Sequence, residues 1–227
     1  MAQTVQQQPG LGSGIYTHAE AARLLRVSTA KARNWAEGYT YQIDGRERTK
    51  APVLQRRAGQ PGLLTFHDLI ELFFVREFRN AGVSLQDIRG AAKLLSEKWD
   101  TPYPFACRKL DTDGVQILMA AGEHYENVAR QQNVFRFAED FFKNIDFSDD
   151  CLAEKWWPMG RDKLVVIDPH RSFGTPIDLK SGVRTEILYA AYQAEDRDVE
   201  AVANWYEIPP EQVKAAVEFE ETWLKAA

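Results

Sequence analysis

The chain has 227 residues and a mass of 25.9 kDa, enough for one large domain or two small ones and too long for a cross-linked mini-fold. Hydrophobic residues make up 44% and charged residues 27%, the balance of a globular protein rather than a disordered or fibrous one, and no apolar run approaches the roughly 18 residues of a membrane span. The net charge of −5 hides a division: residues 1–100 carry 14 Lys and Arg against 10 Asp and Glu, residues 101–227 carry 14 against 23, and the two halves suit different partners.

Residues 1–14 show no basic, apolar and small-residue sequence of a secretion signal and read as a flexible tail of a cytoplasmic protein. Cys107 and Cys151 form no CxxC and no zinc-like spacing with histidine, so reduced thiols are expected, with no metal and no cofactor. A buried strand thiol and a redox or metal sensor are the two readings of Cys107.

Residues 15–100 are expected to form one domain. Thr17 followed by Glu20 is a capping box that starts a helix over about His18–Leu25, with Ala19, Ala22 and Leu25 facing inward. Ser28 caps a second helix, which packs through Ala32 and Trp35. This is a helix-turn-helix pattern, although two short helices around a tight turn also pack together in all-helical proteins that bind no DNA. In the DNA-reading case Thr29, Lys31, Arg33 and Asn34 face the major groove, where arginine and asparagine suit guanine and adenine edges. Nine basic residues stand against four acidic ones between residues 11 and 60.

Asp44-Gly45 then marks a type I′ hairpin, a wing whose Arg46, Arg48 and Lys50 suit phosphate, with Arg56 and Arg57 in the following loop. Thr65 with Asp68, and Ser84 with Asp87, are capping boxes for two further helices. Leu69, Leu72, Phe73, Phe78, Leu85, Ile88, Ala92 and Leu95 make their core stripes, with Gly82 between.

Residues 101–162 are expected to be a small β-rich connection. Phe105 to Met119 reads as a hairpin, Trp156–Met159 and Lys163–Ile167 as short strands around a turn at Gly160-Arg161, and 120–150 stays open between helix and strand. Residues 163–227 are an acidic helical unit. Thr185 is expected to cap a helix to about Ala194, Val199, Val202, Ala203 and Tyr206 mark a second, and Pro210 starts a third with Val213, Ala216, Val217 and Leu224 inward. From Arg184 to Ala227 there are 4 basic and 10 acidic residues, which repel phosphate and attract a basic partner. The fold class is therefore α+β, mainly helical.

No phosphate loop or nucleophile elbow occurs, and His18, His67, His124 and His170 lie in separate segments, so no enzyme is expected. Asp168, Asp178 and His170 form the one imaginable acid-base or metal cluster, against which Asp168-Pro169 reads as a turn.

The order of helix, turn, helix, basic wing and LTFHDLIELFFVREFRNAGVSLQDIRGAAKLL resembles the DNA-binding domain of MerR-like winged-helix regulators over residues 15–98. It departs from them in Arg33-Asn34, where an arginine-tyrosine pair is common, in a longer wing, and in the lack of a leucine heptad after Trp99. Ile167-Asp168-Pro169, Gly174-Thr175-Pro176-Ile177, Gly182-Val183-Arg184-Thr185 and Val202-Ala203-Asn204-Trp205-Tyr206 resemble the marks of domain-of-unknown-function family 433, found in antitoxins, over about residues 163–222. Together the two parts look like VapB-type antitoxins. That resemblance implies operator DNA and a PIN-like ribonuclease toxin as partners, a homodimer, and repression of the protein's own operon. Glu200, Trp205, Tyr206, Glu218, Phe219 and Trp223 are the expected toxin-binding residues, aromatic anchors in an acidic rim. The alternative is a one-component transcription factor with a small-molecule pocket lined by Tyr103, Phe105, Trp156 and Trp157.

Overall fold

The computed structural model describes residues 13–56, 62–110 and 142–224, an α+β arrangement with seven α-helices and small antiparallel sheets. No helix among the described residues is long and apolar enough to cross a membrane.

A two-residue strand β1 (Tyr16–Thr17) leads into α1 (His18–Leu25). The Thr17 hydroxyl accepts from the Glu20 amide at 3.2 Å, and the Glu20 carboxylate takes the Thr17 amide at 2.7 Å, which completes the capping box read from the sequence. The inward residues are Ala21, Ala22, Leu24 and Leu25. Ala22 and Leu25 face inward as expected, while Ala19 is exposed and Ala21 and Leu24 complete the buried side. Arg26, in the left-handed conformation at φ 55°, turns the chain into α2 (Thr29–Glu37), whose first turn Ser28 caps through the Lys31 amide at 3.3 Å. Ala32, Trp35 and Ala36 pack inward.

The hairpin of β2 (Tyr39–Ile43) and β3 (Arg46–Lys50) turns at Asp44 and Gly45, with φ 50° and 70°. β4 (Leu63–Leu64) returns to pair with β1. α3 (Phe66–Asn80) follows the Thr65–Asp68 capping box and is buried over most of its length; α4 (Leu85–Trp99) follows Ser84. At Ser84 only half of the expected box forms, because Asp87 accepts the Ser84 hydroxyl, at 2.7 Å, and not the cap amide.

The segment expected to be the first arm of a hairpin is different. Cys107 makes a single bridge to Leu152, and Arg108–Leu110 is a 3₁₀ turn; the second arm lies outside the described residues. A four-stranded antiparallel sheet, β5 (Ile145–Phe147), β6 (Ala153–Trp156), β7 (Val165–Ile167) and β8 (Pro176–Asp178), is ordered as in the chain. β6 ends at Trp156, before Trp157–Met159. The sheet also runs across the boundary expected at 162–163, two strands on each side. Then come α5 (Thr185–Ala194), α6 (Val199–Tyr206), α7 (Pro210–Glu218) and a π-helical turn (Phe219–Leu224).

One hydrophobic core joins these parts. It contains Leu25 of α1, the rings of Phe66, Phe74 and Phe78 from α3, Phe105, Trp156 of the sheet and Phe219 beyond α7. A satellite core of Leu188, Val202, Ala203, Val213 and Ala216 holds α5, α6 and α7 together. Head and tail are therefore welded, not tethered: burying a ring such as Phe219 is worth about 1.5–3 kcal/mol, and it is buried against the shared core.

Candidate nucleic-acid and partner interfaces

In the head, Thr29, Lys31 and Arg33 of α2 are exposed and Asn34 is half-buried, so the side that Ala32 and Trp35 leave outward carries the four residues named from the sequence. The hairpin beyond it has a regular two-faced design. Tyr39 pairs with Lys50, Tyr41 with Arg48 and Ile43 with Arg46, and because strand side chains alternate, these six share one face. The opposite face carries Thr40 with Thr49, their hydroxyls 3.2 Å apart, and Gln42 with Glu47. One face thus presents a ladder of three cations, each beside an apolar or aromatic residue, all outside the core. The Tyr39 and Tyr41 rings lie 5.7 Å apart.

The ribbon is anchored at its base. The Val53 amide donates to Trp35 at 2.8 Å, and Arg89 Nε donates to the Ala51 carbonyl at 2.7 Å. Gly38, at φ 77°, joins α2 to β2 where a Cβ would meet the Lys50 carbonyl oxygen at 2.4 Å, so only glycine permits this close return. Arg56, expected to serve phosphate, is turned into the domain instead. It donates to the Leu63 carbonyl at 2.6 Å and lies 3.4 Å from buried Asp68, which makes it part of the fold; Arg57 lies outside the described residues.

In the tail, Glu200 is exposed, Trp205 is 71% exposed and Tyr206 is half-buried. Glu218 is exposed and paired with Lys163 at 2.8 Å, which holds the Lys163 ammonium above its usual range. Phe219 is a correction: with 0% exposure it belongs to the shared core and is no surface anchor. The Trp223 side chain lies outside the described residues.

Thr185 is a second correction. Arg184 occupies the cap position and Thr185 the first turn, where its hydroxyl donates to Glu220 at 2.6 Å. The other oxygen of Glu220 accepts from Arg23 of α1 at 3.0 Å. Burial pushes the Glu220 carboxyl up, while Thr185 and Arg23 pull it down. Beside this contact Tyr16 donates to the Gly174 carbonyl at 2.7 Å, and the Ile15 amide to Phe173 at 3.2 Å. The tail is thus strapped to the helix that precedes the candidate reading helix. Sequence reading missed the strap, because Glu220 was one acid among ten and Gly174 part of a turn motif.

The family model described as "Putative DNA-binding HTH domain" matches residues 14–92. The chain is 31% identical over 228 residues to "Putative antitoxin VapB45" of Mycobacterium tuberculosis, a match that covers 90% of this chain and 92% of that protein. The chain belongs to the VapB45 family of antitoxins. The crystal structure of Rv2018 from Mycobacterium tuberculosis superposes with a TM-score of 0.67 at 29% identity, over 89% of this chain and 96% of that one.

In this VapB45-type chain the remaining candidate residues have close local partners. His170 approaches Asp168 with Nδ1 at 3.5 Å, and its backbone amide donates to the same oxygen at 2.9 Å, the geometry of an Asx turn. Asp178 likewise accepts from the amide and hydroxyl of Ser181, at 2.7 Å each. His67 Nε2 lies 3.0 Å from the Ala153 carbonyl, and burial lowers its pKa. Cys107 is buried, which pushes its thiol up. The four rings suggested for a ligand pocket are split: Phe105 and Trp156 fill the main core, while Trp157 packs in a separate cluster with Val166 and Ile177.

A strong electrostatic departure falls on a residue that the sequence does not single out. Glu71 of α3 is buried, accepts from the Phe105 and Ala106 amides at 2.6 and 2.7 Å, and leaves Oε2 without a partner. Burial pushes its carboxyl well above the usual range. It fixes the chain after α4 to the middle of α3.

Proposed function

We propose that the chain is a cytoplasmic type II antitoxin, without enzymatic activity or cofactor of its own, that acts as a homodimer. Its head, read as a MerR-like winged helix-turn-helix, represses the operon that encodes it. Its tail, read as a domain of unknown-function family 433, neutralises a PIN-like ribonuclease toxin by direct binding. The observation that carries this reading is a likeness to an antitoxin that runs through 90% of the chain, head and tail together.

The physical arrangement supports each half. Thr29, Lys31, Arg33 and Asn34 are set to enter a major groove, two copies reading half-sites about 34 Å apart, while Arg46, Arg48 and Lys50 neutralise phosphate. The acidic tail suits a basic RNA-binding groove, with Trp205 and Tyr206 as anchors and Glu200 and Glu218 in the rim.

Two solution assays test it. The chain should shift the anisotropy of DNA from upstream of its own reading frame at concentrations that leave unrelated DNA free. At equimolar ratio it should also abolish RNA cleavage by the toxin encoded beside it. Equal affinity for unrelated DNA overturns the repressor half, and undiminished cleavage overturns the antitoxin half.

A further inference from the structure

α5 carries an apolar strip on the side it turns to solvent as well as on the side it buries. Its ten residues, TEILYAAYQA, include one charge, Glu186, and its inner face packs through Leu188, Ala191 and Tyr192 on α6 and α7. Outward it presents Ala190 and Ala194, both exposed, with half-buried Ile187. These residues, together with Glu186, Ala191 and Tyr206 of α6, line an open groove of about 580 Å³. A helix at a protein surface ordinarily carries a polar outer face; α5 keeps exposed Glu186 and Gln193 there, but beside them runs the apolar strip of Ile187, Ala190 and Ala194, which a partner can cover.

The surroundings indicate what covers it. The turn from α5 to α6 carries Glu195, Asp196 and Asp198, and α6 opens with Glu200, against Arg197 alone; Arg184, at the other end, is tied to Glu186 at 2.9 Å. Asp196 and Arg197, at φ 49° and 67°, turn the chain sharply between the two helices. Trp205, next to Tyr206, adds the most exposed large hydrophobic side chain of the described residues. Small side chains let a second helix approach closely, and the acidic rim selects its charge.

We infer that the α5–α6 groove is the seat of a basic amphipathic helix of the toxin, whose small or apolar face lies on Ile187, Ala190 and Ala194 and whose lysines or arginines meet the rim around Asp196 and Glu200. This rests on the antitoxin reading above and adds to it a place and an occupant. The acidic tail of a second copy would meet like charge at the same rim.

The test uses the full-length chain and the purified toxin encoded beside it, with affinity measured by calorimetry and operator binding as a control for folding. Ala190→Arg with Ala194→Arg fills the groove at two exposed positions and should raise Kd at least tenfold. Asp196→Lys with Glu200→Lys should raise Kd at least fivefold and reduce its dependence on salt. Operator affinity should stay within twofold of wild type in both. Wild-type binding that survives the arginine pair within threefold overturns the groove and leaves the antitoxin reading standing. An unchanged Kd and salt dependence in the lysine pair overturns the basic occupant. Failure of the wild-type chain to bind the toxin at all overturns the antitoxin reading, and the groove with it.

Discussion

The hydroxyl of Tyr16 donates to the carbonyl of Gly174 at 2.7 Å, a bond that joins residues 158 positions apart and closes the strand before α1 onto the turn before β8. A Cβ on residue 174 would stand 2.2 Å from that hydroxyl, and the glycine holds φ 81°. Gly174→Ala therefore meets a clash and a disfavoured backbone together, and should lower stability by about 2–4 kcal/mol in urea unfolding. Tyr16→Phe removes only the bond and should cost about 1–2 kcal/mol. Equal, negligible effects of the two would show that head and tail are not held here.

The hairpin ladder separates two kinds of DNA contact. Arg48→Ala should weaken binding to operator and unrelated DNA alike and lower the slope of log K against log salt by about one. Arg33→Ala should instead cost about 1–3 kcal/mol at one base position and leave the slope nearly unchanged. Arg56→Ala should do neither. It should reduce thermal stability, since Asp68 loses its cation, with operator affinity measured below the transition left intact.

Phe219 and Trp205 should behave oppositely. Phe219→Ala empties a site in the shared core and should cost about 3–5 kcal/mol of stability. Trp205→Ala, at 71% exposure, should leave the unfolding free energy within about 0.5 kcal/mol of wild type and weaken toxin binding by about 2 kcal/mol.

Glu71 gives stability a dependence on pH. Its carboxyl has a higher pKa folded than unfolded, so the folded state holds the proton more tightly, and stability falls as pH rises above the unfolded value near 4.5. Glu71→Gln keeps an acceptor for the Phe105 and Ala106 amides and cannot ionise. The stability of the variant minus that of wild type should therefore grow from pH 4.5 towards pH 7, at up to about 1.4 kcal/mol per pH unit. A difference that is flat over that range would show that Glu71 titrates in the fold as it does in the unfolded chain, its carboxyl unshifted by burial.

The features legible in the sequence are those set by neighbours in the chain. Thr17 with Glu20, Ser28 and Asp44-Gly45 act within four residues, so helix starts and the hairpin register could be read directly. The features that escaped depend on distant contacts. Phe219 looked like a tail anchor because nothing nearby shows that Trp156 and the α3 rings share its core. Arg56 looked like one of several loop cations until Asp68, twelve residues on, was seen to hold it. Thr185 looked like a cap because its partner, Glu220, stands 35 positions away. Strands of three residues carry too little alternation to reveal one sheet across 162–163. That continuity also makes truncation at 160 a poor probe of the tail, since it would remove β7 and β8 and half of the sheet.

On the proposed function, one chain holds DNA with its head and a toxin with its tail. The most direct test is co-expression with the product of the adjacent reading frame, tagged on that neighbour only, followed by native mass measurement with and without operator DNA. The expected result is a stable complex whose mass contains both chains and which rises again on adding operator. A tagged neighbour that purifies alone, while the untagged chain binds its operator unaided, would contradict it.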